Sequence, residues 1–324
     1  MIRCRILGLP WLNKTVYEPG VDKVDRVVCE ISLFRKVLWR REPCLKTGAS
    51  YNLYDGEELL RASALSIRQN VDFINVVYQR VSNFGERRND LGQFLQALKD
   101  EGVIDNYVLY TPDLSLAAPE NETRKRELGL DLSRRNGCVY HLDLDCDEFY
   151  RAREFAAAKA LMYAQKIDYS ACAVQDYLNS PECRVCQMPR LFVPFLMRIR
   201  RGMRNSRTEY FPCLVDGTRK LANRGKFWMF TPDALAMHHM SLCRKDILRK
   251  CRNTSIMQNP QSADVVNAIA RIKAVQGYVF GCNGVPDDVD KFAGMVIVKV
   301  ADEFHVDLRQ WEFSERSGAD EKKI

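Results

Sequence analysis

The sequence has no apolar run as long as the roughly 18 residues that a membrane-spanning helix requires. Its first residues, 1–14, are basic and slightly apolar, but Pro10 interrupts them and no small-residue cleavage site follows. We therefore expect no signal peptide and a cytoplasmic protein. Contact with the inner face of the membrane stays open at this stage.

The spacing of a structural zinc site is also missing. Cys183 and Cys186 form a Cys-x-x-Cys pair, but no second pair and no paired histidine follow nearby. Several of the 12 cysteines, such as Cys138 and Cys172, lie in apolar, strand-like runs, where a reduced cysteine acts as a small hydrophobic residue. In a reducing cytoplasm we expect free thiols.

A strong charge of either sign is lacking, since 49 basic residues face 42 acidic ones. The excess is concentrated in five arginines: Arg198, Arg200, Arg201, Arg204 and Arg207. Such a cluster favours nucleotide phosphates, phosphorylated glycans or an anionic membrane face, although a solvated loop explains it equally well. Aromatic residues do not alternate with these arginines, so we expect no nucleic-acid partner.

The composition is that of a globular protein, with 46% hydrophobic and 28% charged residues in a chain of 324. This length allows one large domain with a smaller appendage. Residues 1–43 show no regular pattern, so we treat them as an N-terminal extension. We expect the main domain at 44–260, and a C-terminal subdomain with a polar tail at 261–324.

Strand-like and helix-like segments alternate through the first half of the main domain. Asp55 and Glu58 have the spacing of a capping box at a helix start. Asn121 is expected to cap a later helix, and Gly137 to end it. Apolar runs between the helices predict strands, so the pattern indicates a parallel α/β sheet. Ligands of such sheets bind beyond the carboxyl ends of the strands.

An acidic cluster follows directly after the predicted strand at 138–142. It consists of Asp143, Asp145, Asp147 and Glu148. Four carboxylates this close stay ionised only where solvent or a cation neutralises them. Mg²⁺ and Mn²⁺ favour such oxygen ligands and bind substrate phosphates at the same time. A solvated turn is the alternative.

Two familiar motifs fit this cluster only in part. The spacing of Asp143, Asp145, Asp147 and Glu154 matches an EF-hand loop, but Glu148 replaces the required glycine and a strand precedes it. A phosphatase with an aspartate nucleophile would carry its acidic motif after an early strand. Neither class is expected.

The segment Asp145-Cys146-Asp147-Glu148, with the later His238-His239 and Arg244, resembles the GT-A glycosyltransferases. The likeness is to a family-two-like group with a hydrophobic-Asp-x-Asp-Glu signature, and it spans residues 45–257. It implies a Rossmann-like mixed sheet flanked by helices, with a small C-terminal extension. It also implies a UDP- or GDP-sugar donor, a glycan acceptor such as a surface polysaccharide or lipopolysaccharide, and Mn²⁺ or Mg²⁺.

The resemblance also implies roles for individual residues. The metal ligands would be Asp145, Asp147 and one of His238 and His239, since adjacent strand residues face opposite ways. The donor nucleotide would contact Tyr51, Asp55, Asp72, Lys125, Arg126, Asp145, Arg244 and Lys250. Inverting transfer needs a carboxylate base. Asp176 and Asp216 are the candidates, although neither matches the usual Glu-Asp pair of the family.

Two other functions remain open from the sequence. A nucleotidyltransferase on a related fold would normally carry a glycine-rich basic signature near its first strand, and the stretch around Gly48 lacks one. A non-enzymatic module could bind anionic partners through the arginines at 198–207. It would not need an acidic cluster beside its anion site.

Overall fold

The structure is a computed structural model, and it describes residues 45–178, 180–186, 191–221, 225–253 and 296–306. The predictions for residues 1–43 lie outside these ranges, as do most of those for residues 261–324. Within the predicted C-terminal subdomain, the strand Val296–Lys299 is present and pairs with Cys183–Cys186. The domain boundaries therefore stay predictions.

Four parallel strands in the order β3-β2-β1-β4 form one half of the sheet. These strands are β1 (Thr47–Leu53), β2 (Phe73–Tyr78), β3 (Asn106–Leu109) and β4 (Tyr140–Asp145). Helices connect them in sequence: α1 (Glu57–Arg68), α2 (Gly92–Asp100) and α3 (Ala118–Arg135). This half has the predicted α/β alternation.

The second half of the sheet is mixed. Its elements are β5 (Glu148–Phe149), α4 (Ala152–Gln165), β6 (Tyr169–Leu178), β7 (Cys183–Cys186), β8 (Phe192–Arg198), a 3-10 turn (Gly217–Arg219), β9 (Phe227–Met229), β10 (Ala236–Leu242), α5 (Ile247–Asn253) and β11 (Val296–Lys299). Strand β8 runs antiparallel between β4 and β6, while β9 and β10 run parallel to β6. The predicted α/β class, a mixed sheet flanked by helices, is confirmed.

Every residue of β1 and β2 is buried, as expected of central parallel strands that helices cover. Helix α3 lies unusually close to β1, because a side chain at Gly129 would overlap the Ser50 hydroxyl. Glycine at this position therefore brings α3 down onto the sheet. The close approach carries Arg126, on the same helix, to the ends of β1 and β4.

The predicted helix caps are wrong in two places. Helix α1 is preceded by Gly56 at φ 77°, with no side-chain cap, so Asp55 does not cap it. Asn121 lies inside α3, which begins at Ala118. Gly137 has φ 71° and follows the end of α3, so the predicted helix end is confirmed. The Asp55 carboxylate accepts from Arg244, which is far along the chain, and the Asn121 side chain binds Tyr110 and Asp113 in the segment before α3.

None of the helices in the described ranges combines the length and the apolarity needed to cross a bilayer.

Candidate active site

The acidic cluster lies at the carboxyl end of β4, beside the end of β1. Asn52 of β1 is in register with Asp145, and its amide donates to Asp143 at 3.3 Å. Asp143, Asp147 and Glu148 are all buried, with Asp147 fully so at 0% exposure. A solvated turn is therefore wrong for this cluster, because buried carboxylates need partners of opposite charge.

Asp145 binds two arginines. Arg126 Nη2 lies 3.0 Å from Oδ1, and Arg219 Nη2 lies 2.6 Å from Oδ2. Burial alone would raise the pKa of Asp145, but the charges of Arg126 and Arg219 outweigh it and bring the pKa below its ordinary value. Both oxygens of Asp145 are thus already engaged by the protein.

The same two arginines also hold the neighbouring carboxylates. Arg126 Nη1 donates to Asp143 Oδ1 at 2.9 Å, and Arg219 Nη1 donates to Glu148 Oε2 at 2.8 Å. Glu148 Oε2 accepts a further bond from the backbone N–H of Asp145 at 3.1 Å. Arg126 and Arg219 therefore join three of the four carboxylates into one buried network.

Asp147 has different partners and keeps one oxygen free. Its Oδ2 binds Arg244 and lies 3.3 Å from Lys250 Nζ. Its Oδ1 is buried and has no hydrogen-bond partner among the described residues. Burial alone would raise the pKa of Asp147, but Lys250 and Arg244 outweigh it and hold the pKa well below its ordinary value. The free oxygen is therefore ionised at neutral pH.

Of the two adjacent histidines, His239 lies in the site. Its Nδ1 is 3.0 Å from Asp176 Oδ1, and its Nε2 is 4.0 Å from Asp147 Oδ1. Burial lowers the pKa of a histidine, but the hydrogen bond to Asp176 and the charge of Asp147 raise that of His239 above its usual value. An imidazole nitrogen thus faces the free carboxylate oxygen.

His238 lies on the other face of β10. Its Nδ1 is 2.8 Å from the Tyr177 hydroxyl, and its ring packs edge-on against Phe304 at 5.1 Å between centroids. Burial lowers the pKa of His238 to about 3. The structure therefore answers which histidine faces the cluster, and does so by strand alternation.

The acidic cluster is surrounded by cations of the protein itself. Its four carboxylates contact Arg126, Arg219, Arg244 and Lys250. Two of these cations are shared with further carboxylates, Arg126 with Glu122 and Arg244 with Asp55. Charge balance alone therefore does not decide whether a metal ion binds here. The observation that favours a bound cation is Asp147 Oδ1, which has no hydrogen-bond partner among the described residues and lies beside His239 Nε2.

The donor atoms fit a divalent cation on the Asp147 side. Ligand atoms of Asp147, Glu148 and His239 lie within 4.8 Å of one another. One carboxylate oxygen and one imidazole nitrogen are acceptable to Mn²⁺. Glu148 is already bound by Arg219, so Asp147 and His239 are the better ligands. Asp145, the other half of the predicted pair, is not in this set.

Three predicted donor contacts have other places in the fold. Tyr51 is fully buried and bonds Ser63 through its hydroxyl at 3.0 Å. Asp72 accepts from the Thr47 N–H at 2.7 Å, at the amino end of β1 and so at the opposite edge of the sheet from the acidic cluster. Ser63 in turn donates to the Glu148 carbonyl, so Tyr51 lies beside the cluster but is buried behind it, whereas Asp72 is remote from it. The third, Asp145, is held by its two arginines.

Lys125 and Asp55 are both close to the site. Lys125 Nζ donates to Gln79 Oε1 at 2.7 Å, at the carboxyl end of β2. Asp55 Oδ1 accepts from Arg244 Nη1 at 2.7 Å. Arg244 is thereby shared between Asp55 and Asp147.

The two base candidates flank the cluster on different sides. Asp176, at the end of β6, holds the ring of His239. Asp216 caps the 3-10 turn by accepting from the Thr218 N–H at 2.8 Å, and its Oδ2 lies 4.0 Å from Arg219 Nε. Both side chains are partly exposed, at 47% and 43%, so solvent or an acceptor can reach each of them.

Arg219 is the site residue that sequence reasoning missed. It lies in an irregular segment with no periodic pattern, and its partners Asp145 and Glu148 are more than 70 residues earlier. The segment from 199 to 221 packs onto α3 and delivers Arg219, with Met203, Phe211 and Leu221 in a small apolar cluster. A basic residue next to the candidate Asp216 was the available signal.

The arginine cluster divides into paired and exposed members. Arg198 and Arg200 lie 3.8 and 2.5 Å from Asp168 Oδ1. Arg201, Arg204 and Arg207 are exposed. Arg200 is exposed as well, but Asp168 offsets its charge, so the last three are the arginines best placed for an anionic partner.

No family model and no curated protein sequence matches this chain. Among solved structures, the chain is similar to the crystal structure of S. aureus TarS 1-349, with 11% identity, a TM-score of 0.38, and coverage of 71% of this chain and 70% of that one. The same protein in complex with UDP-GlcNAc is 12% identical with a TM-score of 0.31, over 40% of this chain and 35% of that one.

A second similar protein is the mannose-1-phosphate geranyltransferase from Thermus thermophilus. It is 16% identical, with a TM-score of 0.27 over 45% of this chain and 46% of that one. The chain spans only 23% of a longer S. aureus TarS crystal structure. Likenesses at this level do not assign an activity, so function has to be argued from the residues.

Proposed function

We propose that this protein is a glycosyltransferase that moves a sugar from a nucleotide-sugar donor to a glycan acceptor, with Mn²⁺ or Mg²⁺ in its site. The observation that carries the proposal is the surrounding of Asp147. A buried aspartate with one free oxygen faces His239, while Arg244 and Lys250 lie on its other oxygen. A ligand for a metal ion and two positively charged side chains for a diphosphate thus lie together at the carboxyl end of one strand.

Arg244 and Lys250 suit the diphosphate of the donor. Lys250 is 25% exposed and reaches Asp147 across 3.3 Å, so it can exchange that contact for a phosphate oxygen. Arg244 is buried and held by Asp55, which keeps its guanidinium in place. A fixed arginine and a movable lysine bind phosphate in complementary ways, the first as a fork and the second as a point charge.

Asp147 and His239 would hold the cation, and Asp176 would orient the imidazole ring through its Nδ1. When bound, the cation would stabilise the negative charge that develops on the departing nucleoside diphosphate. Asp145 has a different role in this proposal, because Arg126 and Arg219 occupy both of its oxygens. Asp145 instead stabilises the site as part of this ion-pair network.

The remaining assignments follow the sequence resemblance. Inverting transfer needs a carboxylate that takes the acceptor proton, and Asp176 and Asp216 stay the two candidates. A surface polysaccharide or lipopolysaccharide acceptor, met at the cytoplasmic face of a membrane, suits the exposed Arg201, Arg204 and Arg207. Lys125 stays a candidate donor contact. Arg126 supports the site through Asp143 and Asp145 instead, and the buried Tyr51 and the remote Asp72 drop out.

Nucleotide binding tests the proposal. We expect UDP or GDP to raise the free energy of unfolding only with Mn²⁺, by about 2.7 kcal/mol when the ligand exceeds its Kd a hundredfold. The variant Asp147→Asn should lose this effect. Hydrolysis of a nucleotide-sugar panel by the wild type would then name the donor.

The same panel discriminates the alternatives. Stabilisation by nucleoside triphosphates alone would favour a nucleotidyltransferase. No response to any nucleotide, together with binding of an anionic polymer that weakens with salt, would favour the non-enzymatic module.

A further inference from the structure

Glu86 lies in the turn after β2, and its carboxylate contacts three side chains of helix α5. Asn253 Nδ2 donates to Glu86 Oε2 at 2.7 Å. Arg249 Nε lies 3.6 Å from Oε1, and Arg252 Nε lies 3.9 Å from Oε2. One carboxylate thus ties together the basic side of a short helix.

The turn that carries Glu86 is itself well fixed. The Ser82 N–H donates to the Glu86 carbonyl at 2.8 Å, and the Glu86 N–H donates to Ser82 Oγ at 3.0 Å. The Tyr54 hydroxyl donates to the same carbonyl at 2.9 Å. Glu86 therefore offers α5 a firm anchor on the body of the sheet.

Helix α5 depends on such anchors. It has only seven residues, and a helix this short is unstable without tertiary contacts. At its start, Asp246 Oδ1 accepts from the Arg249 N–H at 2.8 Å, and the Lys245 N–H donates to Glu58 Oε1 at 3.1 Å. Glu86 holds its other end. Between the two anchors, Lys250 reaches Asp147.

The charges of α5 make the second anchor necessary. Arg249 and Arg252 are three residues apart, so their like charges are neighbours on the helix surface and repel one another. Asp246 Oδ2 lies 3.7 Å from Arg249 Nε, and Glu86 is the carboxylate that contacts both arginines. Without Glu86, this repulsion is offset at Arg249 alone, and the end of α5 loses its contacts with the turn after β2.

We propose that Glu86 is a positioning residue, which holds α5 so that Lys250 meets the diphosphate of a nucleotide ligand. The assignment rests on the proposed function, since it presumes that a nucleoside diphosphate binds beside Asp147. Besides Asp147, which lies in the donor site, a second carboxylate would then act on that site from a distance through α5. Glu86 itself contacts no atom of the acidic cluster in the described contacts.

A double-mutant cycle tests this role. UDP and GDP, each with Mn²⁺, are titrated calorimetrically into the wild type, Glu86→Gln, Lys250→Met and the double variant. We expect Glu86→Gln to weaken binding about threefold to fivefold, as for a partly exposed ion pair. Lys250→Met should weaken it at least about tenfold, because a charged donor is lost. The double variant should bind no more weakly than Lys250→Met.

Two further variants separate positioning from general damage. Glu86→Asp keeps the charge and should recover part of the affinity. Glu101→Gln breaks a comparable surface pair with Arg61 and should bind nucleotide like the wild type. Thermal melting of all variants checks that each is folded at the temperature of titration.

The outcomes distinguish failure of the Glu86 assignment from failure of the proposed function. If the wild type binds neither UDP nor GDP, the proposed function fails and Glu86 loses its role with it. If the wild type binds but Lys250→Met binds equally well, the proposed function stands and the roles of Lys250 and Glu86 are overturned. If Lys250→Met weakens binding but Glu86→Gln does not, only the Glu86 assignment is overturned. The same follows if Glu86→Gln keeps its full effect in the Lys250→Met background.

Discussion

Asp145 and Asp147 are two residues apart, yet they belong to different kinds of environment. Asp145 gives both oxygens to Arg126 and Arg219. Asp147 gives one oxygen to Arg244 and Lys250, and its other oxygen has no hydrogen-bond partner in the described part of the chain. The two aspartates of one short motif therefore need not be equivalent. One is part of the framework, and the other is available to a ligand.

The elements that supply the cations explain this difference. Arg126 comes from α3, which is packed tightly on the sheet, and Arg219 follows a segment fixed by its own apolar cluster. Lys250 comes from α5, a short helix with anchors at its two ends. The Asp145 side is therefore the rigid side. On the Asp147 side α5 is held in place, and the partly exposed side chain of Lys250 is the group that can exchange its contact for a ligand.

The largest expected effect contrasts one cation from each side. Arg219→Met leaves Asp145 and Glu148 short of a buried partner, so we expect the free energy of unfolding to fall by about 3–5 kcal/mol. Lys250→Met removes a more exposed group from Asp147, which keeps Arg244, and should cost less than about 1 kcal/mol. Urea denaturation measures both. Equal losses would contradict the division into a rigid side and a ligand side.

Two glycines test the same division by steric means. Gly129→Ala would push α3 away from Ser50, and we expect a loss of about 1–3 kcal/mol in unfolding free energy from overpacking. Gly56→Ala would displace the guanidinium of Arg244 and should mainly weaken nucleotide binding. Nucleotide titration and urea denaturation of both variants distinguish the two effects.

A matched control isolates the backbone cost at Gly56. Gly102 has a similar positive φ, 74° against 77°, and a side chain there would meet no neighbouring atom. Gly102→Ala therefore shows the cost of the left-handed backbone alone, about 1–2 kcal/mol. Nucleotide affinity that falls equally in the Gly56 and Gly102 variants would rule out an effect through Arg244.

The smallest expected effect is a dependence on acid. The pKa of Asp145 is lower in the folded protein than in the unfolded chain, where it is about 3.9. Its contribution to stability is thus present above that value and is lost as the pH falls towards the folded pKa. The stability gap between wild type and Asp145→Asn should be widest above pH 5 and narrow below about pH 4. A difference in unfolding free energy that widens as the pH falls would contradict this prediction.

Much of the fold could be predicted from the sequence. Apolar runs and helical spacing indicated the parallel strands β1 to β4, and they placed the acidic residues at a carboxyl edge. The predicted end of β4 was too early, because Asp143 and Asp145 belong to the strand itself. Each of these signals is local, because burial of a strand or a helix face is written into neighbouring residues. The resemblance also joined Asp147, Arg244, Lys250 and the histidine pair, and the structure brings all of these together except His238.

The partners of each carboxylate could not be predicted. Asp55 has the spacing of a helix cap, but the left-handed Gly56 begins the helix and frees Asp55 to bind Arg244 across 189 residues. Arg219 reaches Asp145 from an irregular segment that carries no pattern. Asp145 therefore looked like a metal ligand, because sequence spacing does not show which distant cation already occupies its oxygens.

Binding of Mn²⁺ in the presence of UDP or GDP, followed by electron paramagnetic resonance, tests the central claim most directly. At a temperature where all variants are folded, Asp147→Asn and His239→Gln should each weaken Mn²⁺ binding at least about tenfold. Asp145→Asn should stay within about threefold of the wild type, because its oxygens serve the arginines. Loss of Mn²⁺ in Asp145→Asn with retention in Asp147→Asn would contradict the account.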